Sequence, residues 1–136
     1  MTRLPANPCA LCLLAFALAL GLAAPAAAAP HATWQTADFY FDGEDKPVVT
    51  GFFVNDGTDP VTVVRVVHEI FLQKGDGEYF YLAGAVWTGL DITLRPGERS
   101  TLVRLKIADY NGERHRYDRY RTRGEVTYRL FRGEDV

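Results

Sequence analysis

The run Val61-Thr-Val-Val-Arg-Val-Val-His-Glu-Ile-Phe-Leu-Gln73 decides the fold. Thr62, Val64, Val66, His68, Ile70 and Leu72 form one nearly apolar set, while Val63, Arg65, Val67, Glu69 and Phe71 form a mixed one. Alternation of this kind lays one face of a β-strand on a core and turns the other toward solvent or a partner. The run ends in Lys74-Gly-Asp-Gly-Glu78, whose glycines suit a hairpin turn into the next strand.

Similar β-rich runs lie on both sides of it, over residues 33–41, 48–55, 79–88, 100–107, 117–122 and 125–132, that at 117–122 being the weakest. Asp42-Gly-Glu-Asp-Lys-Pro47, Asn55-Asp-Gly-Thr-Asp-Pro60, Arg95-Pro-Gly97 and Asn111-Gly112 provide the turn chemistry between them. Val103, Leu105 and Ile107 are expected to point inward against Arg104 and Lys106. Val126, Tyr128 and Leu130 are expected to do so against Thr127, Arg129 and Phe131. No helical period is sustained after residue 28, and no internal repeat is present. The pattern predicts an all-β fold, an immunoglobulin-like antiparallel β-sandwich of about seven strands.

The first 28 of the 136 residues read differently. Arg3 precedes an uncharged apolar run from Cys9 to Leu22, and alanines follow, the layout of a cleavable secretory signal helix. The run lacks the length and the basic far flank of a membrane anchor. The reading is a signal peptide over residues 1–28 and one sandwich domain over 29–136, destined for the periplasm or the exterior. Membrane contact is then confined to the signal. Both cysteines, Cys9 and Cys12, fall within it, so the exported domain has neither disulfide nor thiolate.

The stretch Val49-Thr-Gly-Phe-Phe-Val-Asn-Asp-Gly-Thr-Asp-Pro-Val61, the long strand closed by Gly75-Asp-Gly77, and the corner Leu94-Arg-Pro-Gly-Glu98 together resemble a bacterial envelope immunoglobulin-like module, nearest in pattern to FxLYD-type domains. The Phe-x-Leu-Tyr-Asp signature itself is absent, and Ser100 stands where many sandwiches carry a corner tyrosine. The resemblance implies an accessory or adhesive domain, without catalysis.

Charge is uneven along the chain. Residues 29–94 carry three basic and ten acidic side chains, and residues 95–136 carry eleven and seven. The anomaly is Arg114-His-Arg-Tyr-Asp-Arg-Tyr-Arg-Thr-Arg123. Arginine forks bind carboxylates and phosphates, and tyrosines stack on rings. Arg114, Arg116, Tyr117, Arg119, Tyr120, Arg121 and Arg123 are therefore the candidate binding residues, for an envelope protein, a glycan or another anionic surface component. Two readings stand, such a site, or arginines that pair with the chain's own acidic half or sit on a solvated strand and loop while Tyr117 and Tyr120 pack on the sandwich. Nucleic acid is not expected of an exported, acidic chain.

No catalytic constellation, metal site or cofactor motif is present. His31, His68 and His115 are not spaced as joint ligands, and His68 and Glu69 point to opposite faces of one strand. Ser100 lacks a nucleophile-elbow context, and Asp91 is isolated. The acidic turns at 42–45 and 55–59 read as Asx turns rather than calcium loops. The expected function is an exported, non-catalytic binding or accessory module. It would use the Arg/Tyr segment, or a sandwich face displaying Phe52 or Phe53 with Tyr79, Tyr81 and Trp87. The alternative is a structural or assembly subunit acting through sheet-edge pairing or homo-oligomerisation.

Overall fold

The computed structural model describes residues 29–132, so the expected signal helix over residues 1–28 lies outside the described residues. The described chain is all-β. Its seven strands are β1 (Ala32–Phe41), β2 (Pro47–Asn55), β3 (Val61–Gln73), β4 (Phe80–Trp87), β5 (Ile92–Leu94), β6 (Val103–Lys106) and β7 (Arg119–Leu130). One antiparallel sheet runs β1-β2-β6. In the other, β3 is central, with β7 along one side and β4 and β5 end to end along the other. The two sheets form the expected antiparallel β-sandwich of seven strands.

Local details depart from the sequence expectation. Residues 117–122 and 125–132 do not make two strands, because β7 runs unbroken from Arg119 to Leu130 beside β3. Gly124 in its middle is a packing residue. A Cβ there would stand 2.9 Å from Trp34 Cδ1 and 3.0 Å from His68 Cε1. Three-residue β5, too short to carry an alternation, takes a strand's place beside the start of β3.

The inward set of β3 also needs correction. A bulge between Val63 and Arg65 shifts the phase, so Val61 and Val63 join Val66, Ile70 and Leu72 in the core, while Val64 is only half-buried. Thr62 is buried with its hydroxyl 3.0 Å from that of Thr93. Leu105 and Ile107 are buried, and Val103 packs against the cluster that holds Leu105, as expected. Val126 and Tyr128 also pack inward, but Leu130 at the frayed end of β7 is 39% exposed.

The core has two clusters. One gathers Phe53, Val61, Val63, Val66, Leu94 and Leu105, and the other Phe39, Phe41, Val49, Ile70, Leu72 and Ile107. Each such buried side chain contributes roughly 1.5–3 kcal/mol. Trp34 of β1 and Trp87 of β4 touch both clusters. Between these indoles lies His68, fully buried, with ring centroids 5.1 Å from Trp34 and 6.4 Å from Trp87. Gly51 and Gly124 make room for the Trp34 ring, since a Cβ at Gly51 would fall 2.5 Å from Trp34 Cζ2.

Side chains also hold the turns. Buried Asn55 donates from its amide to the carbonyls of Asp59 and Leu94, at 2.8 and 3.0 Å, and accepts from Gly57 N–H. It thereby ties the end of β2 to two separate turns. The Asp42 carboxylate accepts from the N–H groups of Glu44 and Lys46 and lies 3.0 Å from Lys106 Nζ. Those donors, Lys46 N–H foremost and then the Lys106 ammonium, hold its pKa down at about 2.

Candidate functional site

The register of β7 divides the Arg/Tyr segment. Period-two alternation points Tyr120, Thr122 and Gly124 inward and leaves Arg119, Arg121 and Arg123 exposed. Tyr120 packs on Phe39 at 5.6 Å between centroids. Tyr117, just ahead of β7, packs on Phe39 at 5.3 Å and donates its hydroxyl to the Phe39 carbonyl at 3.2 Å. Burial pushes both phenols above their ordinary pKa. These two rings belong to the sandwich interior.

Arg114 is a clamp across the loop before β7. Its guanidinium donates to the carbonyls of Phe41 and Asp42 and to Asp45 Oδ1, at 3.1, 2.8 and 3.0 Å. Lys46 Nζ reaches the Tyr110 carbonyl at 2.6 Å, and Asp118 bonds Gly75 N–H at 2.6 Å, so the loop is fastened at several points. Arg116 is exposed on it. Among the described residues, Arg116, Arg119, Arg121 and Arg123 make no ion pair.

Of the arginines on β7, Arg121 meets aromatic residues on the outer face of the sheet. Arg119 stands opposite Gln73, Arg121 opposite Phe71 and Arg123 opposite Glu69. On the far side of β3, Phe71 pairs with Tyr81. Their rings meet edge-on at 5.7 Å, and Arg121 Cζ lies 4.3 Å above the Tyr79 ring. Tyr81 is 56% exposed. The result is a row of guanidinium, phenyl and phenol groups across β7, β3 and β4, suited to bidentate contacts with an anion and to stacking on a ring.

This row joins part of the Arg/Tyr segment to the Tyr79 and Tyr81 of the expected aromatic face, and adds Phe71. The other members of that face lie elsewhere. Phe53 is fully buried and Trp87 borders the core, while Phe52 is covered by Arg99, whose Cζ stands 4.1 Å from the ring centroid. A period-two reading carried through Gly124 would have separated arginines from tyrosines in advance. Phe71 was visible as an outward apolar residue of the long strand.

The remaining polar candidates are occupied structurally. His31 Nδ1 pairs with Asp56, and His115 meets Phe80 edge-on at 5.6 Å. Ser100 Oγ accepts from Phe53 N–H at 2.9 Å and donates to the Thr101 carbonyl. No group of three His, Cys, Asp or Glu side chains gathers as a metal site among the described residues.

At the opposite edge of the sandwich, between β4 and the end of β6, lies a cleft of about 240 Å³ lined by Ala85, Val86, Trp87, Lys106, Ile107 and Asp109. Nothing in the sequence pointed to it, because strand order decides which edges face one another. No family model, curated protein or solved structure matches the chain.

Proposed function

We propose that this chain is an exported, non-catalytic binding module that recognises an anionic component of the cell envelope through the outer face of β4, β3 and β7. The observation that carries this reading is the stacking of Arg121 on Tyr79 beside the Phe71–Tyr81 pair, between two arginines that make no ion pair among the described residues. Exposed guanidinium groups held next to rings are common in binding hot spots. The secretory layout of the first 28 residues and the resemblance to envelope immunoglobulin-like modules support the same reading.

The test is binding of the purified chain to a carboxylated polysaccharide and to a neutral one, at low and high salt. The proposal expects affinity for the carboxylated polymer alone, weakened by salt and lowered about tenfold or more by Arg121→Ser, on the scale of one lost hot-spot contact. Arg116→Ser, in the loop, is expected to change it little. Equal binding of both polymers, or equal losses from both substitutions, would overturn the assignment.

A further inference from the structure

The sandwich exposes strand edges, and they differ in how they discourage pairing with another chain. Proteins protect edges with charges, bulges or short strands. β6 is four residues long and carries Arg104 and Lys106. β1 has a register shift between Thr36 and Asp38. β7 carries Arg119, Arg121, Arg123 and Arg129. β4, Phe80-Tyr-Leu-Ala-Gly-Ala-Val-Trp87, has neither charge nor proline. Its register shift against β3 falls at Leu82, which leaves Ala83 to Trp87 as a regular uncharged run.

We infer that β4 is a self-pairing edge, through which two copies of this chain join their β4-β3-β7 sheets antiparallel about a twofold axis at Ala85. This inference concerns assembly and goes beyond ligand recognition at the arginine row.

Three observations select a second copy as the occupant. The first is side-chain size. Antiparallel pairing centred on Ala85 sets Trp87 opposite Ala83 on one face of the sheet, and on the other sets Val86 opposite Gly84, over which the Tyr81 hydroxyl lies, so no two bulky side chains of the run stand directly opposite each other. Any one-residue slip moves the inward and outward sets out of phase. The second is charge. A β7–β7 contact would align rows of arginine, whereas the β4 run brings no like charges together. Pairing β4 with β7 would be heterologous and would propagate, while β4 with β4 closes on itself. The third is shape. The cleft beside β4 leaves the Ala85, Val86 and Trp87 edge accessible, and the one cation lining it, Lys106, is held by Asp42 and Glu44 at 3.0 and 3.1 Å. Val86 is 50% exposed on the outer face.

Sedimentation of the purified chain over a wide concentration range tests this, together with Val86→Lys and Arg121→Ser. The expected result is a reversible dimer whose dissociation constant rises at least tenfold in Val86→Lys and is unchanged in Arg121→Ser. In the unaltered chain, amide exchange within residues 83–87 should slow as concentration rises, a readout independent of any variant's folding. A monomer at all concentrations would overturn the proposal. So would a dimer indifferent to Val86→Lys with protection gained elsewhere. Loss of anion binding in Arg121→Ser with the dimer intact would separate this surface from the arginine row.

Discussion

Along β1 and β7 the two sheets meet through the hydroxyls of Thr36 and Thr122, 2.6 Å apart, and through an indole wedged against Gly124. Along β4 and β6 the sheets part around a cleft of about 240 Å³. The closed side is joined by a polar chain in which Trp34 Nε1 donates to Thr36 Oγ1 at 2.7 Å and that hydroxyl meets Thr122. Arginines guard the strand on this side. The open side has an uncharged strand and free space beside it. The sandwich therefore concentrates specific internal packing on one side and leaves an uncharged edge on the other.

His68 lies between the two sides and gives the largest test of the comparison. Neither ring nitrogen has a hydrogen-bond partner among the described residues, and burial lowers its pKa from 6.5 to about 4. The imidazole is neutral in the folded chain, whereas the unfolded chain takes up a proton first as pH falls. Its contribution is thus full above about pH 6.5 and lost progressively toward pH 4, a change on the order of 3 kcal/mol. Denaturant titrations across this window should show the loss, and His68→Leu should flatten it. An unchanged slope in that variant would remove His68 as the cause. Asp42, with its pKa lowered to about 2, adds a separate loss as pH falls from about 4 toward 2.

Next in size is a matched pair of substitutions. Gly124→Val forces a side chain against Trp34 and His68 and should cost about 2 kcal/mol in urea denaturation. Ala85→Val borders the cleft and should stay within about 0.5 kcal/mol. Equal costs would mean that the two sides do not differ in packing. Thr122→Val keeps the shape of β7 but removes one hydroxyl from the closed side, and should cost about 1 kcal/mol. The smallest effect belongs to Arg121→Ser, whose stability should lie within about 0.5 kcal/mol of the parent by the same titration. A larger loss would make the Tyr79 contact a structural one.

The sequence revealed the sandwich because β-strand alternation is local, and the long third strand carried thirteen residues of it. It was misleading where packing between sheets reset the pattern. The bulge at Val64 is invisible in a run of valines, whose side chains suit either face. Gly124 resembles a strand breaker until the Trp34 ring is seen to occupy the space of its missing side chain. The candidate site was legible in part. Arginine and tyrosine content marked the segment, but their division into outer and inner rows required one continuous strand. The aromatic partners came from β3 and from the segment around Tyr79 and Tyr81, joined to β7 only by sheet order. The open β4 edge had no local signal, since edge status belongs to topology.

The layer of Trp34, His68 and Trp87 has an optical consequence. The chain contains two tryptophans, and both flank the same imidazole. A protonated imidazole quenches indole emission more strongly than a neutral one, so the fluorescence of the unlabelled chain is expected to change with the charge at its centre. Titration of that emission follows His68 in the folded state, without dye, tag or added chromophore.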